Sequence, residues 1–532
     1  MADVIVVGSG ATGSMAAQTL VEAGASVLML DGGQRDERYA ALVPDEPFVR
    51  IRRNEDAQHR YFLGDAFEGV VPGPVATGAQ LTPPRQFITR GVAEFLPLVS
   101  DTFFPLESLA LGGLASGWGL GCNVFSDAEL RKAGLPAAEM EPAYEVVAGR
   151  IGISGADDDA RAYTSANLEG VMPAPPLDPA AALLLDGYSR KRGAMREAGF
   201  RLGRPALALV TRDFGGRKPT ALNDMDFYVD SNRAAWRPSI AVESLAGKPG
   251  FEYRGQFLVT RFAEEGGVTT VFGRDLDTSQ ERAYSCRRLV MAAGTLGTAR
   301  IVLRSLGGDG VRLPFLSNPY TYIASLALPA VGKAVPERKT SLCQLILLHD
   351  EGGRHDDVAQ AGIFTYQSLL MYRLLREIPM DYVDARILMR YLLSGFLIVG
   401  IFHTEEYSED KRLWLERDSA TITGDCLHAT YRVTAAEADK LRRRERAYSQ
   451  AIRQLGAWPL KRISPGHGAS IHYAGTLPFS ESEAPYHLAP SGRLYGTESV
   501  YVADGSGFRY LPGKGLTLSL MANAHRVASR LT

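Results

Sequence analysis

Cysteine is scarce: only Cys122, Cys286, Cys343 and Cys426 occur in 532 residues. No two of them stand at the C-x-x-C spacing of a zinc site or a redox pair. The expectation is buried free thiols in a reducing cell, with no metal centre and no disulfide framework. Charge of one sign is not in excess either. A formal net charge of −2 gives no electrostatic reason for nucleic acid or an anionic membrane as principal partner, and a small-molecule substrate fits better. Long apolar runs are missing. The most apolar stretch, residues 391–402, falls well short of the ~20 residues that span a bilayer, so no integral membrane segment is expected. A peripheral membrane contact through residues 368–393 is the lesser reading, because the arginines and acids there suit an amphipathic helix. The first strand is preceded by neither a basic n-region nor a small-residue cleavage site, so the expected location is cytoplasmic. The sequence carries no internal repeat or low-complexity segment, and nothing in it fixes an oligomeric state.

What is present begins with length, which exceeds one ordinary core and suggests two or more interleaved domains. Fifty-five glycines suggest many close backbone approaches. Residues 1–31 read strand, glycine turn, helix, strand. Two β-type runs within 257–273 flank Glu264-Glu265-Gly266-Gly267, a hairpin turn. A strand over 288–291 leads through a small-residue turn into a helix reaching residue 303. Further on, helical periodicity near 369–393 and strands near 396–402 and 412–416 mark a second domain. The basic run in the helix 435–455, including Lys440, Arg442, Arg443, Arg444 and Arg446, reads as a solvated face. The Gly/Pro-rich run 69–78 reads as a surface excursion or lid.

The first glycine turn has a physical logic. Gly8 permits the tight turn, Gly10 lets the backbone approach a pyrophosphate, and Gly13 lets helix and strand pack closely. The helix N-terminus then faces the phosphates. Asp31, eighteen residues after Gly13, ends the second strand, where a carboxylate accepts bonds from ribose hydroxyls. FAD and NAD both satisfy this pattern.

Later segments favour FAD through a resemblance. Leu111-Gly112-Gly113-Leu114-Ala115-Ser116-Gly117-Trp118-Gly119, with Asn123 behind it, is similar to a signature of the glucose–methanol–choline (GMC) oxidoreductase family. Val290 to Thr295 resembles that family's "aaGa" turn. The ordered set Gly492-Arg493-Leu494-Tyr495-Gly496, Val500 to Phe508 and Thr517 to Ala522 resembles its C-terminal signature. His472-Tyr473-Ala474-Gly475-Thr476 has the spacing of its H-x-x-G-T motif. The chain resembles the family along most of its length, nearest to its sugar-oxidising members.

The resemblance implies an α/β fold: a discontinuous Rossmann-like FAD-binding domain (1–40, 105–150, 210–310 and 460–532), with a lid and substrate-binding domain (41–104, 151–209 and 311–459) built on a mainly antiparallel sheet and helices. It implies cofactor contacts from Gly112, Gly113, Ser116, Trp118, Asn123, Val259, Ala293, Gly294, Asp504, Gly505, Gly515, Leu516 and Thr517. It implies an FAD-dependent oxidation of a CH–OH group, of a sugar or polyol by analogy, with hydride passing to flavin N5 and His472 as general base. The alternative is a lyase-type or other net non-redox reaction on the same fold. One departure stands out: Gly515 occupies the place of the family's second His or Asn. Lys514 and His467 are the nearest replacements for that polar group.

Overall fold

The computed structural model describes residues 2–69, 81–365 and 379–532. Most of the Gly/Pro-rich run and the first part of the 369–393 pattern therefore lie outside the described residues. The described part of that pattern is the helix Tyr382–Leu392, which buries Ala385 and Met389 and exposes Val383, Ile387 and Tyr391. No described helix is long and apolar enough to cross a membrane.

Two sheets organise the chain. The first is a parallel layer. Val4 to Val7 are apolar and buried, as a strand covered on both faces requires. The strand Ala2–Val7 lies between Val27–Leu30 and Glu281–Met291, and Phe251–Arg254 extends the layer beyond Val27–Leu30. The eleven-residue strand Glu281–Met291 is longer than the sequence pattern implies because it serves two neighbours on one edge. Its first half pairs antiparallel with the hairpin Phe257–Glu265 and Val268–Asp275, whose turn places Gly266 and Gly267 at φ of 58° and 76°. Its last three residues run parallel to Val500–Val502. The helices Ala11–Glu22, Ala137–Ile151 and Thr517–Ser529 pack together against this layer.

The second sheet has six antiparallel strands in the order Trp458–Ile463, Tyr320–Leu326, Phe396–Phe402, Ala359–Phe364, Leu345–His349 and Phe200–Gly203. Strand alternation splits its side chains between two faces. Ile323, Ile363, Leu397, Val399 and Ile401 pack under the helices Pro179–Glu197 and Ala435–Leu455. Tyr320, Tyr322, Phe364, Ile398 and Phe402 face a cleft between the sheets.

The helix Ala435–Leu455 starts at a Thr434/Glu437 capping box and stops at Gly456, φ 99°. Of its basic run, Arg442, Arg443 and Arg446 are exposed, while Arg444 is buried and donates to Asp357 Oδ2 at 2.9 Å. All four cysteines are buried free thiols.

The parallel layer tolerates no side chain where its first turn crosses the strand next to it. A Cβ on Gly13 would stand 1.9 Å from the Gly8 carbonyl oxygen, and one on Gly8, at φ 97°, would stand 2.5 Å from the Ala292 oxygen. Gly13→Ala is therefore expected to lower stability by about 1–3 kcal/mol, the usual range for overpacking, and to lower cofactor occupancy in the same preparation. Thermal melting and the flavin-to-protein absorbance ratio measure the two effects.

Candidate functional site

The cleft opens at the C-terminal ends of the parallel strands, where α/β folds hold their ligands. Ser9 ties its near wall together. Its hydroxyl donates to Asp31 Oδ2 at 2.6 Å and its amide to Oδ1 at 3.1 Å, while the Gly112 amide donates to the Ser9 hydroxyl at 2.8 Å. Tyr253 adds a third donor to Asp31 at 2.9 Å. Burial raises the Asp31 carboxyl above its ordinary range, and these donors oppose that shift.

Gly8, Gly10, Asp31, Gly113, Trp118, Val259, Ala293, Gly294, Asp504, Gly505, Leu516 and Thr517 all line the cleft. At Gly10 a Cβ would meet only the Gly112 oxygen, at 3.9 Å, so the turn presents bare backbone to the cleft. Asp504 keeps its carboxylate for its own turn, accepting from Ser506 N at 3.0 Å, Ser506 Oγ at 2.6 Å and Thr298 Oγ1 at 2.5 Å. Gly505 follows with no room for a side chain: a Cβ there would stand 2.9 Å from the Tyr473 oxygen.

Several residues expected at the cofactor sit behind the wall. Gly13 is consumed in helix packing. Gly112 has its amide on Ser9, and Ser116 donates to the Leu111 carbonyl at 2.6 Å, so both shape the loop that Gly113 and Trp118 bring to the cleft.

His472 lies half-buried in the opposite wall. Its Nδ1 is 3.0 Å from Asn318 Oδ1. The Asn318 amide nitrogen donates to two backbone carbonyls, His403 at 2.7 Å and Pro512 at 3.0 Å. Those two bonds assign the amide's orientation, so its oxygen faces the imidazole. An oxygen without a proton accepts, hence Nδ1 carries the hydrogen and Nε2 the free lone pair. Phe402 stacks on the ring, with centroids 4.6 Å apart at 17°. Burial pushes the His472 pKa down to about 3. The imidazole is therefore neutral across the cellular pH range, with its basic nitrogen turned away from Asn318.

The two replacements for the missing polar partner are not in this wall. Lys514 turns inward: its ammonium pairs with Glu129 at 2.6 Å and donates to the Val124 carbonyl at 2.8 Å. Both side chains are almost fully buried, and Glu129 also closes the Ser126 capping box at the start of the helix Asp127–Ala133. His467 packs its ring on Tyr431, centroids 4.6 Å apart, and does not line the cleft. At Gly515 a Cβ would stand 2.8 Å from Asn123 Nδ2, so the Asn123 amide takes the room a side chain there would need. Asn123 is buried and its Oδ1 has no hydrogen-bond partner.

Sequence reasoning missed Ser9, Asn318, Phe402 and the buried pair Arg300–Glu107, whose Nη2–Oε2 distance is 2.8 Å and which also lines the cleft. Asn318 precedes Pro319 in an irregular link, and only its tertiary position 154 residues from His472 gives it meaning.

Comparison with known proteins bears on the cofactor. A family model described as an FAD binding domain matches residues 1–40. The chain is 25% identical to 6'''-hydroxyparomomycin C oxidase of Streptomyces lividus and 24% identical to paromamine 6'-oxidase of Streptomyces fradiae, in each case over 99% of this chain and 90% of the relative. Its fold matches formate oxidase of Aspergillus oryzae with a TM-score of 0.61 and 11% identity, over 100% of this chain and 98% of that one. The cofactor is FAD. The side-chain-free turn at Gly8 and Gly10, the carboxylate of Asp31 and the helix N-terminus at Leu516 and Thr517 are the kinds of group a flavin dinucleotide requires.

The Lys514–Glu129 pair yields a stability prediction. Removing one partner strands the other charge in the core, so Lys514→Ala is expected to cost about 3–5 kcal/mol. Urea unfolding of the variant against the parent measures it.

Proposed function

We propose that the protein is a GMC-type oxidoreductase that oxidises a CH–OH group, with His472 as the base that receives the hydroxyl proton. The division of labour follows the two sheets: the parallel layer and its loops hold FAD, and the antiparallel sheet with its helices forms the substrate side. FAD supplies the hydride acceptor when bound. The observation that carries the reading is the state of His472. The residue lines the cleft, and Nε2 keeps the free lone pair because Asn318, fixed by two carbonyls, holds the proton on Nδ1.

A base must reach the proton it takes and must be unprotonated when the substrate arrives. Asn318 supports the first requirement by fixing the ring, and Phe402 helps by stacking on it. Burial supports the second. A neutral acceptor site also avoids placing a resident positive charge where the hydroxyl must lose its proton. The imidazolium formed by that transfer donates from Nδ1 to Asn318 Oδ1, an acceptor already in position.

The lyase-type alternative draws its support from Gly515, and the Asn123 amide fills the space that residue leaves. Two relatives whose names describe them as oxidases favour the redox reading.

His472→Ala is expected to keep FAD yet slow anaerobic flavin reduction by at least ~100-fold, the low end for a positioned base. Stopped-flow bleaching of the flavin bands measures this, and an unchanged rate removes His472 from the mechanism. The same assay fixes the pH dependence. A histidine with its pKa pushed down to about 3 is already unprotonated at pH 5, so the reduction rate should stay level from about pH 5 to 8. An ordinary histidine would instead lose activity below ~6.5. A midpoint near that value would show that His472 titrates freely.

A further inference from the structure

Thirteen large apolar side chains are exposed among the described residues, and eight of them gather at one end of the antiparallel sheet. The helix Tyr382–Leu392 carries four. Its buried residues Ala385 and Met389 lie on one face, while Val383, Ile387 and Tyr391, at the same four-residue spacing, lie on the opposite one and are 54%, 48% and 62% exposed. Leu388 on the helix and Met380 just before it are exposed as well. The sequence suits a helix lying on a core, yet the longer apolar stripe faces outward. Leu328, Trp458 and Leu460 complete the patch, each more than half exposed. They reach the same place because Leu326 pairs with both Phe396 and Trp458, and the Ala327 amide donates to the Gly395 carbonyl at 2.7 Å, just past the end of the helix. None of these side chains lines the cleft.

Cations rim the patch. Arg386 and Arg390, both exposed, flank the stripe on the helix itself. The Gly332 amide donates to the Tyr391 carbonyl at 2.9 Å, which sets the exposed Lys333 beside it. On the other side Lys191 donates to the Gln454 carbonyl at 2.9 Å, and with Arg453 it stands at the helix end that leads into Trp458. The acids on this rim are Asp381, whose side chain accepts from the Val383 amide at 2.8 Å, and Asp384. The chain as a whole carries a net charge of −2, so the excess of cations here is local.

We propose that this end of the antiparallel sheet is a docking surface for an anionic lipid bilayer, which takes the apolar stripe below its headgroups and meets the basic rim with its negative charge. Trp458 and Tyr391 are the ring types that settle at headgroup depth, and arginine and lysine stems lie along apolar groups while their charges stay in water. A second copy of the chain fits less well. A two-fold contact would bring the same basic rim against itself, and Pro459 and Lys461 disfavour pairing of the edge strand Trp458–Ile463 with another sheet. That strand also joins the surface to the cleft, because Ile463 lines the cleft. At ~3.3 Å per residue its two ends lie about 17 Å apart. A docked molecule therefore holds its cleft close to the bilayer.

The test is flotation of the holoenzyme with vesicles of phosphatidylcholine alone and of phosphatidylcholine and phosphatidylglycerol in equal parts. Partition into the mixed vesicles at least ~10-fold above that into phosphatidylcholine is the expected result. Ile387→Asp is expected to lower that partition at least ~10-fold, with flavin content and melting temperature kept. Equal partition into both vesicle types, or none into either, overturns the proposal. A folded, flavin-loaded Ile387→Asp protein that floats as the parent does overturns this face as the surface. Sedimentation without lipid tests the other occupant: a parent that sediments as a dimer beside a monomeric Ile387→Asp protein overturns the bilayer in favour of a second copy. Should that variant not fold, Trp458→Gln provides the same comparisons.

Discussion

Backbone passes closely over backbone just after the first strand, and much of the site is laid out from there. The turn after the first strand crosses the end of the neighbouring strand so closely that Gly8 has no room for a methyl group, and the helix that follows presses Gly13 onto the Gly8 carbonyl. Because the contact is between main chains, it fixes two segments at once. The Gly8–Gly10 turn is aimed into the cleft, and the Ala292–Gly294 turn is held alongside it. Ser9 carries this order outward, since its hydroxyl is shared between Asp31 and the Gly112 loop. A group at the first turn thus sets the position of residues about twenty and one hundred places away.

The opposite wall works through hydrogen bonding and burial. Asn318 spends both amide hydrogens on carbonyls of separate segments, around His403 and Pro512. Its oxygen is therefore not free to rotate away from the imidazole. Desolvation then keeps the ring neutral. Neither effect needs a charged neighbour, and the cation next to Gly515, Lys514, is neutralised within the core by Glu129.

Parts of this were legible in the sequence because they are local. The βαβ unit, the 257–273 hairpin and the helix Ala435–Leu455 follow from apolar periodicity, turn glycines and a capping Thr434. The glycine turns stand out through spacing, and His472 through the resemblance of its motif to the family's H-x-x-G-T. Side-chain direction was not legible. Lys514 and His467 are adjacent to the motif in sequence, yet a buried carboxylate and the Tyr431 ring take their side chains elsewhere. Asn318 shows the reverse: an ordinary residue in an irregular link gains its role only when strands distant in the chain meet. Glu281–Met291 ran longer than its apolar run because its exposed first half is paired to a hairpin, and pairing leaves little trace in composition.

The order of strands in the parallel layer also governs when the site can exist. Ala2–Val7 must wait for Glu281–Met291, and that strand's last residues must wait for Val500–Val502. Contacts so distant along the chain give a high contact order, with loop-closure entropy to be overcome before the layer gains its partners. On the ribosome the first strand, apolar on both faces, emerges long before its central neighbour, which makes the nascent chain dependent on protection from aggregation. The helix that begins at Thr517 is translated after the other elements that line the cleft. Cofactor capture is thereby tied to that helix, and a nascent chain that has not yet reached it cannot assemble the whole cradle.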